Sequence, residues 1–313
     1  MRVLVLGGTG FIGRHVAAAL AARGHEVCIG TRRPARAERR LAPRLRGCEL
    51  REAHFEHLGA RGDWHVLLAG CDVVVNAVGI LRERGAETYD RVHHRAAGAL
   101  ASACALGRRR LIHISALGLS NSARSGFLRS KLAGERAVAA SGAPYSIVRP
   151  SLLEGEGGFG ARWLRWFARW PVHFVPANAR GRIAVLDVAD LGEAIAILCE
   201  TPASAAWREV ELGGSAAPTM VEYLAALRAR RSAKAAMPVS VPAWLARIVS
   251  HLCDLAHFSP FSYGHLELLR RDNVPCPNLL PRLIGRESSP LAVLGRRSQV
   301  LEPAPVALRR PAF

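Results

Sequence analysis

Residues 7 to 13 read Gly7-Gly8-Thr9-Gly10-Phe11-Ile12-Gly13, so glycines at 7, 10 and 13 and at 8, 10 and 13 satisfy two overlapping spacings. Glycines so placed allow a tight turn and let the backbone amides of Phe11 and Ile12 reach a pyrophosphate at a helix N-terminus. They also permit close packing of helix on strand. The flanks agree: an apolar run over 2–7 predicts a buried strand, Ile12, Val16 and Leu20 recur every four residues, and Gly24 sits where a helix would be capped. A bare tight turn needs none of that context, and a dinucleotide needs all of it. A second strand over 26–30 ends at Thr31-Arg32-Arg33-Pro34, where an NAD binder would place an acid on the ribose 2′-hydroxyl. The next acid is Glu38, and two adjacent guanidiniums suit a 2′-phosphate, so NADP(H) is expected over NAD(H).

Other reactive side chains carry less. His93-His94 looks like a metal pair, but adjacent helical residues point about 100° apart and only Asp90 stands one turn away, so no metal is expected. Seven cysteines (28, 48, 71, 104, 199, 253 and 276) are odd in number and form no C-x-x-C pair, which indicates neither a disulfide framework nor zinc. The net charge of +18 comes from 43 basic residues, of which only Lys131 and Lys234 are lysines. The arginines spread along the chain with no nucleic-acid motif, so nucleic acid is not expected and an anionic membrane surface is the better partner.

The elements that must position these groups follow from patterning. After a degenerate third strand over 48–52, residues 71–79 read as a buried strand running into a small-residue turn, and helical residues follow over 92–106. Residues 110–115 give a fifth strand, 128–140 a helix, and 146–150 a sixth strand. Repeated β–α alternation predicts a doubly wound parallel α/β sheet of the Rossmann type over 1–150. A smaller, mostly helical region over 151–313 is expected to face the substrate, with some of its elements completing the sheet.

These landmarks carry a resemblance: Leu6-Gly7-Gly8-Thr9-Gly10-Phe11-Ile12-Gly13, Asn76-Ala77-Val78-Gly79, Ile114-Ser115-Ala116, Ser130-Lys131 and Val148-Arg149-Pro150 are similar to those of short-chain dehydrogenases/reductases. Asn76 to Glu83, Ile114 to Gly118, Leu186-Asp187-Val188-Ala189-Asp190 and Arg271-Asp272-Asn273-Val274 resemble its atypical, extended branch. Within that branch they are similar to bacterial relatives of the NAD(P)H-binding accessory subunit of complex I. The resemblance implies cofactor contacts at Gly7, Gly10, Phe11, Ile12, Gly13, Arg32, Arg33, Ala77 and Val78. It also implies Ser115 beside the substrate, and Lys131 on the nicotinamide ribose and in catalysis.

Departures from the family pattern matter as much. Its Y-x-x-x-K pair uses the tyrosine as proton donor or acceptor, but here the segment is Phe127-Leu128-Arg129-Ser130-Lys131, and a phenyl ring has no proton to give. Of the tyrosines at 89, 145, 223 and 263, Tyr145 and Tyr263 are the ones expected to approach through the fold. Ala53-His54-Phe55 stands where relatives commonly have Gly-Asp-Leu, with His54 either substituting at the adenine or lying in solvent.

In the second half, Trp163, Trp166 and Trp170 share a helical stripe, with Arg162, Arg165 and Arg169 one residue earlier. The expected reading is a helix packed on the core with arginines at its edge; the other is an interfacial helix or a lid over an apolar substrate. Asp187, with Asp190 as capping-box partner, is expected to cap a helix. Residues 242–255 form an apolar stripe that suits a core or an amphipathic face for a membrane or a partner. The stretch after Leu294 is rich in Arg and Pro and is expected to be poorly ordered. No apolar run is long enough to span a bilayer, and the N-terminus lacks a signal-peptide pattern, so a cytoplasmic protein, peripheral at most to the inner membrane, is expected. Three functions fit: an NADP(H)-dependent oxidoreductase acting on an apolar carbonyl or quinone-like substrate, a non-catalytic NADP(H)-binding sensor or scaffold, and a nucleotide-sugar epimerase or dehydratase.

Overall fold

The computed structural model describes residues 1–39, 41–60, 64–204, 207–232, 234–256 and 261–289. The stretch after Leu294 lies outside the described residues. In chain order the elements are β1 (Arg2–Leu6), α1 (Phe11–Ala22), β2 (Glu26–Thr31), α2 (Pro34–Glu38), β3 (Glu49–Glu52), α3 (His65–Leu68) and β4 (Val73–Asn76). A π-helical turn (Asp90–Arg95) runs into α4 (Ala96–Leu106), then come β5 (Arg110–Ile114), α5 (Gly126–Ala139), β6 (Tyr145–Pro150), β7 (Leu153–Glu154) and α6 (Phe159–Phe167). The remainder is β8 (Val172–Pro176), β9 (Leu186–Asp187), α7 (Val188–Glu200), β10 (Glu209–Leu212), α8 (Met220–Ala229), β11 (Met237–Val241), α9 (Ala243–Ala256), α10 (Tyr263–Leu268) and α11 (Leu280–Ile284).

Seven strands form one sheet in the order β10-β6-β5-β4-β1-β2-β3, with every pairing parallel. Strand β10 comes from the second half of the chain and closes one edge. Along β1 the two-residue period sorts side chains by face: Val3 and Val5 pack with Val16, Leu20, Leu191 and Ile195, whereas Leu4 and Leu6 pack with Leu100, Cys104 and Val138. Helices α1 and α7 therefore cover one face and α4 and α5 the other, which is the doubly wound arrangement expected. The chain order reverses between β1 and β4, which opens the crevice beyond their C-terminal ends.

Away from this sheet, β8 pairs with β11 and β7 with β9, both in parallel. Asp187 caps α7 by accepting from the Ala189 amide at 2.7 Å. Asp190 is not its capping-box partner. It is buried in α7 and accepts from Arg286 Nη2 at 2.8 Å and from the Ser289 amide and hydroxyl at 2.6 and 2.7 Å, latching the segment after α11 onto α7. The tryptophan helix also departs from expectation: in α6 only Ala161 is buried, and Trp166 and Trp170 are exposed. The core reading of that stripe is corrected accordingly.

Candidate functional site: a dinucleotide cleft and a buried lysine crevice

The glycine loop joins β1 to α1. Gly7 sits at φ +73°, a conformation glycine adopts without strain, and a Cβ there would press on Ala77 O and Val78 Cγ2, each 3.1 Å away. Ala77 and Val78 thus lie against the loop. A side chain at Gly13 would run into the carbonyl oxygen of Gly7, so α1 packs on the turn with no room for one. Gly10 is the N-cap and supplies no side chain, and the first helical bond is Arg14 N–H to Gly10 O at 3.1 Å. The amides of Phe11, Ile12 and Gly13 therefore precede the helical ladder as donors at the positive end of α1, which has no acid in its first turn. The Phe11 ring faces the loop at 155–158, whose Glu156 carbonyl accepts from Arg14.

Beside this loop lies a cleft of about 1170 Å³ lined by Thr9, Arg14, Arg32, Arg33, Arg36 and His54, among others. Arg32 and Arg33 are both there, but Arg32 forms an ion pair with Glu87. Arg33 stands at the N-cap position of α2 without a side-chain capping bond, and Arg36 joins it on that rim. His54 hydrogen-bonds to Glu52 at 3.0 Å and Glu56 at 3.2 Å; these two bonds raise its pKa above the ordinary histidine value.

The second half of the site is built on α5. Phe127, Ser130, Lys131 and Gly134 share one face of that helix, and a Cβ on Gly134 would strike the His93 carbonyl, so α5 lies close against the π-helical turn. The helix start is fixed twice: Ser125 Oγ accepts from Leu128 N–H, and the Glu267 carboxylate of α10 accepts from the amides of Arg124 and Ser125 at 2.8 and 2.9 Å. Lys131 Nζ stands 5.9 Å from the Phe127 ring centroid, and His93 Nε2 and Lys131 Nζ both border the open side of Gly79. Lys131 retains partial exposure, yet the protein packed round its ammonium pulls its pKa down to about 8, with Glu135 opposing.

Two histidines complete the crevice in neutral form. His93 Nε2 accepts the Ile80 amide at 3.0 Å, which leaves Nδ1 to donate to Ser130 Oγ at 3.0 Å; the serine in turn donates to Phe127 O at 2.9 Å. Burial, then Lys131 and His113, hold the His93 pKa well below its usual value. His113 on β5 accepts from Asn76 Nδ2 at 3.1 Å, and burial together with Lys131 brings its pKa to about 3. Asn76 Oδ1 accepts from Val78 N–H at 3.1 Å, which shapes the turn facing Gly7. Ser115, at the end of β5, is buried, and its hydroxyl has no hydrogen-bond partner. A buried hydroxyl left unbonded costs about 1–3 kcal/mol, and such a group in a crevice suits a bound polar atom.

Residues 7–165, from the glycine loop to α6, match the family described as NAD(P)H-binding. The chain belongs to that family. Ceramide reductase of Caulobacter vibrioides is 32% identical over 64% of this chain and 61% of its own length. NADH dehydrogenase [ubiquinone] 1 alpha subcomplex subunit 9 of Dictyostelium discoideum is 28% identical over 70% of this chain and 61% of its own. The chain thus spans about three fifths of the length of these curated relatives. An NADPH-dependent quinone oxidoreductase of Escherichia coli, complexed with NADPH, has the same fold at TM-score 0.68 and 21% identity, covering 93% of this chain and 97% of that one. A nucleoside-diphosphate-sugar epimerase of Staphylococcus aureus has it at TM-score 0.73 and 17% identity, covering 96% and 100%. The resemblance to extended short-chain dehydrogenases/reductases stands.

Within this NAD(P)H-binding chain the tyrosine expectation needs correcting. Tyr145 opens β6 beneath the Arg208 guanidinium, and Tyr263 stacks on His251. The tyrosine that reaches Phe127 is Tyr89, ring centroids 5.8 Å apart, but its hydroxyl donates to Leu81 O at 2.9 Å and burial raises its pKa. His265 of α10 stacks on the other side of Phe127 at 6.1 Å. Tyr89, His93 and His265 carry no motif, and only the fold assembles them. Of the paired histidines, His93 is bonded as above and His94 pairs with Asp90 at 2.9 Å. Among the described residues no group of three metal-capable side chains occurs.

Proposed function

We propose that the protein is an NADP(H)-dependent oxidoreductase acting on an apolar carbonyl or quinone-like substrate. One observation carries the reading: the buried Ser115 hydroxyl, just past the end of β5, has no hydrogen-bond partner, and Lys131 of α5, its pKa lowered to about 8, lies by Phe127 and, with His93, beside Gly79 in the turn after β4. A purely structural core gains nothing from either group, and both cost stability where they are.

A bound NADP(H) would supply the hydride chemistry. The amides of Phe11, Ile12 and Gly13 would hold its pyrophosphate, and Arg33 and Arg36 its 2′-phosphate, while Arg32 is shared with Glu87. Ser115 donates a hydrogen bond to the substrate oxygen. Lys131, with a pKa of about 8, supplies at neutral pH the proton that Phe127 lacks. His93 and His113 are held neutral beside Lys131, and the phenyl ring favours an apolar substrate. The name of the C. vibrioides relative supports a reductase, and the E. coli fold neighbour supports NADPH. A cytoplasmic location, peripheral to the inner membrane, fits this reading; among the described residues no helix is long and apolar enough to cross a membrane.

Ser115→Ala tests it. Turnover should fall about 100-fold while the Kd for NADPH moves less than about threefold. Equal turnover in the two proteins contradicts the assignment. Phe127 favours a second reading, a non-catalytic NADP(H)-binding sensor or scaffold. On that reading Phe127→Tyr creates hydride transfer where there was none, whereas an enzyme that uses Lys131 is unchanged or slowed by it.

A further inference from the structure

Helix α9 is turned inside out. Its inward side carries Ala246, Ser250, Cys253 and Asp254, small or polar groups that need little burial. Its outward side carries Trp244, Leu245, Ile248, Val249, Leu252 and Leu255, with Trp244 66% and Leu255 76% exposed. On a helical wheel these six fall within one contiguous arc. Neighbouring segments extend the surface. Strand β11 leads directly into α9 and pairs with β8 in a register, Met237 with Val172 and Val239 with Phe174, that puts the exposed Met237 and Phe174 on one side of the two-stranded sheet. Trp170, two residues before β8, is exposed and contacts the ring of the exposed Trp166.

We infer that this surface docks on an anionic lipid bilayer, with α9 lying in the interface. Charge selects the occupant. The only acid in α9, Asp254, faces inward to Arg82 at 2.9 Å, and Arg247 flanks the apolar arc. Arg162 and Arg169 are exposed beside the tryptophans of α6, and the whole chain carries +18. A second copy would bring a further +18 against the same face, whereas anionic headgroups neutralise it. Trp166, Trp170 and Trp244 are all exposed, and tryptophan suits the headgroup boundary.

The inner side of the same helix packs on α10, where Ala246 is buried with Tyr263 and Leu266, and the next two residues after Tyr263, Gly264 and His265, pack on Phe127. An apolar substrate dissolved in the bilayer therefore meets the protein on the side where α9 packs on α10 and α10 lies against Phe127; this consequence rests on the reductase reading, but docking does not.

Flotation of the full chain with phosphatidylcholine vesicles, with and without phosphatidylglycerol, tests docking without any turnover. The protein should float with the anionic vesicles. A Trp244→Ser/Ile248→Ser/Leu252→Ser variant, altered only at exposed positions, should lose at least about tenfold in partitioning while its circular dichroism and NADPH affinity stay unchanged. Protein that remains in the aqueous fraction overturns the inference. So does a triple variant that floats as well as the parent, which would assign binding to scattered arginines. A dimer by light scattering that the triple variant dissolves, with no vesicle binding, would assign the face to a second copy.

Discussion

At the scale of single residues, Lys131 brings a charge into a crevice that resists it. Its pKa drops from 10.5 to about 8, mainly through burial. A cation with a folded pKa below its unfolded one costs stability in full below about pH 8; the cost declines as pH rises toward 10.5 and then vanishes. Lys131→Met should therefore stabilise the cofactor-free protein at pH 7 by roughly 1–3 kcal/mol, allowing for partial exposure, while abolishing turnover. Urea unfolding at pH 7 and at pH 10.5 checks this: the gain should shrink at the higher pH, and a variant less stable at both would contradict the burial argument. On the cofactor side, Arg33→Ala should weaken NADPH binding about tenfold more than NADH binding by titration, since one guanidinium on a phosphate is worth about 1–2 kcal/mol. Equal losses would move the 2′-phosphate elsewhere. The glycine turn was legible because it sits in a short motif, and Ser115 and Lys131 were singled out as candidates for the same reason. Tyr89, His93 and His265 were not, because residues so far apart in sequence meet only after β4, the π-helical turn, α5 and α10 have packed round Phe127.

At the scale of elements, the sheet strands were readable because apolar runs bounded by glycine leave few alternatives. The β8–β11 pair and the two-residue strands β7 and β9 were not, since their pairing depends on distant chain. The pattern of α6 and α9 revealed amphipathic helices but not which face would turn inward; periodicity gives the arc and packing gives its direction. Asp190 was misread for a related reason. A carboxylate in the first turn of α7 looks like a cap, yet it is 1% exposed and holds Arg286 and Ser289. Asp190→Ala should cost about 2–4 kcal/mol in urea unfolding, because it strips three hydrogen bonds from a buried acceptor. Arg286→Ala should cost less than about 1 kcal/mol, its side chain being 43% exposed. Similar losses in the two variants would place the latch energy in the exposed ion pair.

At the scale of the whole molecule, the glycine loop borders the basic cleft, while α10, on which α9 packs, lies against Phe127 of α5. The composition showed the excess of arginine but not its distribution: part of it is spent on internal pairs such as Arg149 with Glu135 and Glu209, and part lines the cleft. Cofactor binding alone does not distinguish an enzyme from a sensor, since both hold NADPH; transfer of hydride does. Protein supplied with NADPH deuterated at one face of C4, together with a metabolite and lipid extract, should pass the label to an apolar product followed by mass spectrometry, and Lys131→Ala should abolish the transfer. Label that stays on bound cofactor, whichever face carries it, would contradict the oxidoreductase assignment.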